Sequence, residues 1–335
     1  MTSLPFSLVD VFSGTPFKGN PLAVVDGRAH PQLTNTQMQL LARQFNLSET
    51  TFFFPPTLPG AHYRLRSFLP DGREVFGAGH NILGVWWYLA HEGILNLNQD
   101  LDMIKSNLKK EFIFKQELGG EVIPLRIKTD SQKIQVMIRQ ARPQSHGAVA
   151  DEDHLSALAE SMGLAAEDIG FSLGSAKRLP PQVMSTSTTH HLLVPVSSVE
   201  ALNRVVVQRD KLLKQLRRVD HRAYGLFLFT PDVESGDGGV QTFQARFFSP
   251  GMSGEDPATG SAAGPLSAYL YKHGVLNMEK GKGEITVMQG LRVGRSCRIH
   301  VELSVDREEF DVDIIGDGVL VGRGDITIPG LDTAF

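Results

Sequence analysis

The chain has 335 residues, 41% of them hydrophobic and 21% charged, with a formal net charge of −4 and a single cysteine, Cys297. That length suits two domains of ordinary size, and the composition is that of a globular chain able to bury sizeable cores. A slightly acidic chain offers no basic field for nucleic acid, one cysteine excludes an internal disulfide framework and paired-thiol chemistry, and no apolar run approaches the ~20 residues needed to cross a bilayer.

From the beginning of the chain, Met1 to Val11 lacks the pattern of a signal peptide, so a cytoplasmic setting is expected. Phe6–Phe12 alternates as a strand, Gly14–Pro21 is a turn cluster, and Leu22–Val25 resumes a strand. Thr34–Phe45 has helical spacing, whereas Thr50–Phe54 and Tyr63–Phe68 read as short strands. Ile82–Ala90 is apolar nearly all round, which predicts a helix buried on most sides. Strands follow near Val122–Ile127 and Lys133–Arg139, then an exposed connection over Pro143–Asp153 and a helix at His154–Met162. His190–Val196, Ala223–Thr230 and Gln241–Phe248 are strands. A helix begins at Ser198–Arg204, and another spans Ser261–His273. Ser235–Gly239 is a Gly-rich loop tip, and Ile285–Ile328 is mostly strand with glycine turns.

One internal repeat stands out. Gly79, Tyr88, Leu89, Gly93 and Leu95 recur as Gly260, Tyr269, Leu270, Gly274 and Leu276, each pair 181 residues apart. Just upstream, Arg66-Ser-Phe-Leu-Pro70 recurs as Arg246-Phe-Phe-Ser-Pro250 at a spacing of 180. Each copy reads as strand, Pro turn, Gly loop and buried helix, and a period of half the chain implies duplicated domains rather than a solenoid.

The loops that lead into the two repeated helices are the places to look for chemistry. Gly254-Glu-Asp-Pro-Ala-Thr-Gly-Ser261 and Phe76-Gly-Ala-Gly-His80 both run straight into a helix, whose unsatisfied N–H groups and positive end suit an anion. On spacing alone, plainer roles stay open. Asp256 and Ser261 could simply cap a helix, His80 could be structural, and Glu49 could be a turn carboxylate or the capping-box partner of Asn46. The pair His190-His191 has no Asp/Glu/His cluster at ligand spacing, so a structural or loop role is expected and no metal site is assigned. Trp86-Trp87 and Phe52–Phe54 are expected in the core.

The combination is more specific than its parts. The series Asp10-Val-Phe…Gly19-Asn-Pro-Leu-Ala-Val24, Leu41-Ala-Arg…Asn46-Leu-Ser-Glu-Thr50, Arg66-Ser-Phe-Leu-Pro70, Gly79-His80…Leu83-Gly84 and above all Glu255-Asp-Pro-Ala-Thr-Gly-Ser-Ala-Ala-Gly-Pro265 resembles the phenazine-biosynthesis-like (PhzF-like) family in order over nearly the whole chain. The resemblance implies an α+β, diaminopimelate epimerase-like fold. In it, two pseudo-symmetric lobes each wrap a curved, mostly antiparallel sheet around a central buried helix. The expected lobes are 1–128 and 129–318, a strand at about 319–335 can return to the first lobe, and the active site lies in the cleft between lobes.

It further implies an isomerase or epimerase that needs no cofactor and no metal. Glu49, His80 and Asp256 match the catalytic positions, and Gly79, Asn20, Gly260 and Ser261 the substrate-binding ones. The expected substrate is a small carboxylate-bearing molecule, with neither nucleic acid nor membrane as partner, and the expected assembly is a homodimer. Glu49 would take a proton from carbon beside a carbonyl or double bond and return it elsewhere, which calls for burial that lifts its pKa. Asn81 departs from the Pro or Ala usual after the Gly-His pair, and 99–116, 208–222 and 231–239 are longer than a minimal member of the family needs, which implies surface insertions with room for an interface role. The alternative function is a non-catalytic small-molecule binding or interaction protein on the same fold; a thiol racemase is disfavoured by the cysteine count.

Overall fold

The computed structural model describes residues 2–77, 79–97, 110–130, 133–174, 177–232, 240–250, 254–306 and 309–330. In chain order the elements are β1 (Ser3–Val11), β2 (Asn20–Asp26), α1 (Asn35–Phe45), β3 (Thr50–Phe54), β4 (Tyr63–Phe68), β5 (Glu74–Val75), α2 (His80–His91), β6 (Lys110–Leu118), β7 (Glu121–Thr129) and β8 (Ile134–Gln140). There follow β9 (Gln144–Ala148), α3 (Glu152–Ser161), β10 (Gln182–Ser185), β11 (His190–Pro195), α4 (Val199–Arg204), α5 (Arg209–Val219), β12 (Gly225–Pro231), β13 (Gln241–Phe248), β14 (Glu255–Asp256) and α6 (Gly260–Lys272). The chain closes with β15 (Met278–Glu279), β16 (Lys282–Gln289), β17 (Cys297–Asp306), β18 (Glu309–Gly316) and β19 (Gly318–Thr327). Two compact units emerge: Met1–Arg139 with Ile315–Phe335, and Gln140–Ile314.

In the first unit β1 lies antiparallel between β19 and β2, β2 runs parallel to β3, and β3 antiparallel to β4. β4 then runs parallel to β6, β6–β7–β8 form a meander, and β5 folds back on β4. The second unit repeats the plan. β10 lies antiparallel between β9 and β11, β11 parallel to β12, β12 antiparallel to β13, β13 parallel to β16, and β14 folds back on β13. Parallel neighbours require a crossover. Helix α1 supplies it between β2 and β3 and α2 between β4 and β6, as α4 with α5 and then α6 do in the second unit.

The pairing register turns the repeat into residue matches. Phe68 faces Glu74 and Ser67 faces Val75, as Phe248 faces Glu255 and Phe247 faces Asp256. Thr50 pairs with Phe68 as Leu226 pairs with Phe248. Glu49, one residue before Thr50, therefore matches Gly225, and His191, the partner of Gly225, matches Leu22. The duplicated frame thus holds Glu against Gly, Val against Asp and His80 against Ser261 at corresponding places.

Each central helix is buried along almost its whole length: every residue of α2 from His80 to Ala90 except Tyr88, and every residue of α6 from Ala262 to Leu270. Strand β3 shows why its residues are all apolar or small. Phe52 and Phe54 join the cluster under α1, with Met38, Leu41 and Ala42, while Phe53 turns to the other face against Tyr88 of α2. A strand covered on both faces cannot alternate with polar residues. Trp86 is fully buried and donates to Gln116 Oε1 at 2.8 Å, so it belongs to the core as expected.

Three expectations need correction. Within 143–153, Gln144–Ala148 is strand β9 paired with β10 rather than a free connection. Within 99–116, β6 from Lys110 is a paired strand with Phe112, Phe114 and Gln116 buried, while 98–109 lies outside the described residues. Within 208–222, α5 is an amphipathic helix that buries Leu212 and Leu216 in the core of the second unit. The loop tip Ser235–Gly239 also lies outside the described residues.

Candidate active site

The capping box of the first unit is not at Asn46. Thr34 and Gln37 close it at the start of α1: Thr34 N–H donates to Gln37 Oε1 at 3.0 Å and Gln37 N–H to Thr34 Oγ1 at 3.2 Å. Asn46 instead ends α1 in the left-handed region with φ of 52°. That reversal throws the chain into the turn that carries Glu49 to the edge of β3.

Glu49 there meets His80, the first residue of α2, with Oε2 at 3.3 Å from Nε2. Oε2 is cut off from solvent although the side chain as a whole is one-fifth exposed. Burial pushes the Glu49 carboxyl up to about 7, because desolvation penalises the charged form. Asn20 opens β2 opposite Val11 and is fully buried. Gly79 precedes His80, and packing does not demand glycine there, since an added Cβ would meet Asn81 Oδ1 at an ordinary 3.5 Å. Asn81 is tied inward: its Nδ2 donates to Ser67 Oγ at 3.0 Å, and Ser67 shares a 2.8 Å hydrogen bond with Thr51. The chain Asn81–Ser67–Thr51 links α2, β4 and β3, the elements that hold His80 and Glu49.

The raised carboxyl has a consequence for stability. The folded chain holds this proton more tightly than the unfolded chain, so the contribution is fully present below the unfolded value of 4.5 and is lost as pH rises through about 7. Gln mimics the protonated form. Glu49→Gln is therefore expected to stabilise the chain at pH 8 by up to about 3 kcal/mol and to change little at pH 4.5. Calorimetric melting of both proteins at the two pH values checks it; a variant no more stable than the parent at pH 8 contradicts the shift.

In the second unit Asp256 does not cap α6. Its Oδ2 accepts from Thr259 Oγ1 at 2.6 Å and its Oδ1 from Ala258 N–H at 3.4 Å, closing a tight loop. Gln289 braces that loop: Oε1 accepts from Thr259 N–H at 3.0 Å, and Nε2 donates to the Asp256 carbonyl at 2.8 Å and to Thr259 Oγ1 at 2.9 Å. Gly260 opens α6, its carbonyl accepting from Gln140 Nε2 at 2.9 Å. Ser261 follows as the second helical residue, its Oγ 3.2 Å from His191 Nε2. Thr34, Asp151 and Ser198 cap α1, α3 and α4 with their side chains, whereas α2 and α6 have no side-chain cap. Both helix starts named by the sequence therefore keep first-turn N–H groups that no capping side chain takes.

The loops are set by matched ion pairs. Arg246 clasps Glu255 through Nε and Nη2, and its Nη1 donates to the carbonyls of Leu202 and Val205. Arg66 clasps Glu74 in the same way, and each arginine lies over a phenylalanine, Phe68 or Phe248. So Glu49 and His80 come together in one unit, and Asp256, Gly260 and Ser261 in the other. His191, expected from sequence in a structural or loop role, lies with Nε2 3.2 Å from Ser261 Oγ. Only its register opposite Gly225 could have singled it out. Among the described residues no three His, Cys, Asp or Glu side chains group as a metal site, and no helix is long and apolar enough to cross a membrane.

A family model described as phenazine biosynthesis-like protein matches residues 9–324. The trans-2,3-dihydro-3-hydroxyanthranilate isomerase of Pseudomonas fluorescens is 27% identical over 96% of this chain and 99% of its own. Among solved structures, a phenazine biosynthesis protein from Bacillus anthracis is similar with a TM-score of 0.79 at 25% identity, covering 98% of this chain and all of that one. A predicted epimerase from Pseudomonas aeruginosa follows at a TM-score of 0.73 and 27% identity, over 97% of this chain and 100% of that one.

Proposed function

The chain belongs to the phenazine biosynthesis-like protein family and is an isomerase, and from that premise we propose that it moves a proton between carbon atoms of a small carboxylate-bearing metabolite, without a cofactor, using Glu49 as acid and base. Its fold is the diaminopimelate epimerase-like one. The observation that carries the proposal is the desolvated Glu49 carboxyl beside His80, with a pKa of about 7 in place of the ordinary 4.5. A carboxyl tuned to that range can take a proton and give it back at neutral pH.

The step balances within the substrate. Glu49 carboxylate removes a proton from carbon, and the C–H electron pair moves into the neighbouring unsaturated system. The neutral acid then returns the same proton at another carbon as that pair forms the new C–H bond. His80 and Asp256 hold and polarise the substrate. Gly79, Asn20, Gly260 and Ser261 bind its carboxylate, the helix-start N–H groups stabilising negative charge there. The position matching Glu49 in the second unit is Gly225, and the one matching His80 is Ser261. Only one copy of the duplicated frame therefore carries Glu at this place. That favours a bond shift by a single acid–base over inversion between two. The expected homodimer belongs to the same proposal and is tested by light scattering.

Carbon-bound hydrogen exchange and product formation in D₂O test the reading, with trans-2,3-dihydro-3-hydroxyanthranilate, the substrate in the relative's name, as first compound among small unsaturated carboxylates. A single base predicts that part of the product retains the original hydrogen. With Glu49 as base, kcat/KM is expected to rise tenfold per pH unit below about 7 and to level above it. A profile flat from pH 5.5 to 8 would remove Glu49 from the role.

A further inference from the structure

The imidazole of His191 is enclosed in the second unit and has no ordinary place in a strand that otherwise buries Leu192, Leu193 and Val194. Its ring sits between the Tyr224 and Phe247 rings, at 5.0 and 5.1 Å between centroids. Gly225 makes the room: an added Cβ would lie 2.5 Å from His191 Nδ1 and 2.4 Å from Phe247 Cζ. Burial, with His190 adding to it, holds His191 down to about 3, so the ring is neutral at pH 7 and carries one N–H.

Where that proton sits follows from the surroundings. Nε2 has a partner, Ser261 Oγ at 3.2 Å, whereas Nδ1 is buried with none. An orphaned buried N–H is rarer than an unsatisfied acceptor, so the proton belongs on Nε2, which donates to Ser261 Oγ. A hydroxyl oxygen that accepts from behind has its own O–H left to donate forward. Ser261 is the second residue of α6, where the first-turn N–H groups lack a side-chain cap.

We propose that His191 is a positioning residue: its Nε2–H fixes the Ser261 hydroxyl as a hydrogen-bond donor aimed at an anionic group of the substrate. The proposal rests on the reading of Ser261 as substrate-binding. It adds a reason why the second copy of the frame holds Gly at 225 and His at 191, where the first holds Glu49 and Leu22. A hydroxyl and helix N–H groups turned toward one anion form a donor-only cradle, which suits a carboxylate and disfavours a cation.

Two measurements on the full chain test it. In ¹⁵N-histidine spectra, His191 is expected as the neutral Nε2–H tautomer from pH 5 to 8, with shifts that move in Ser261→Ala. An Nδ1–H tautomer, or a ring that titrates near 6.5, overturns the proposal. In kinetics with trans-2,3-dihydro-3-hydroxyanthranilate, His191→Phe is expected to raise KM about tenfold with a much smaller change in kcat, the effect of one lost hydrogen bond. His191→Gln, whose amide can reach the place of Nε2, should restore most of the loss, and His191→Asn should not. Adding His191→Phe to Ser261→Ala should add little. Equal loss in the Gln and Phe variants would make His191 mere packing. An impaired Ser261→Ala beside an unimpaired His191→Phe strikes the proposal alone, whereas Ser261→Ala with parental KM strikes the reading beneath it.

Discussion

Glu49→Gln is expected to lower kcat by about 10²–10⁴-fold on the substrate found by the exchange assay, while leaving the fold intact. The amide has the shape of the protonated carboxyl and keeps its place beside His80, so substrate binding should survive and KM should change little. The amide cannot accept a proton from carbon, and exchange of substrate hydrogen with D₂O should fall in parallel with turnover. The same substitution relieves the desolvation that lifts Glu49 to about 7, so the inactive variant should melt higher than the parent at pH 8. Loss of activity joined to a gain in stability separates a working group from a structural one, because a structural carboxyl would lose both. Turnover within a few-fold of the parent, with the fold retained, would end the assignment.

Arg246→Met should be the most damaging single change to stability among the paired residues, at about 3–5 kcal/mol. The side chains of Arg246 and Glu255 are only 10% and 5% exposed, and the guanidinium also satisfies the Leu202 and Val205 carbonyls. Removing it leaves a carboxylate without its counter-charge, takes a donor from the Leu202 and Val205 carbonyls, and slackens the loop before Asp256. The first unit supplies the control. Arg66 and Glu74 make the same clasp with side chains 19% and 21% exposed, where water can replace what is lost. Arg66→Met is expected to remove about 1–2 kcal/mol. Denaturant unfolding of the two variants beside the parent measures the contrast, and equal losses would show that burial is not what separates the two pairs.

Much of this architecture is written in the chain itself, because duplication leaves its spacing behind. The match of Gly79 with Gly260 marked both central helices and the loops that lead into them, and apolar periodicity located α1 and α2 to within two residues at each end. What escaped did so for physical reasons. Strand β9, Gln-Ser-His-Gly-Ala, carries little apolar signal, since its hydrogen bonds to β10 rather than its side chains secure it. Helix α5 buries only Leu212 and Leu216 on a polar cylinder, so its composition resembles a solvated loop. Glu49, His80 and Asp256 stood out through motif. His191 did not, because nothing local distinguishes a histidine that faces Ser261 from one that faces solvent, as the contrast with His190 against His146 makes plain.

The crowding around Gly225 also bears on redesign of the second copy. With Phe247 Cζ and His191 Nδ1 within 2.5 Å of where a Cβ would stand, a side chain at that site requires both neighbours to shift or be replaced. An engineered transfer of acid–base chemistry to the second half therefore has to rebuild Gly225, His191 and Phe247 together.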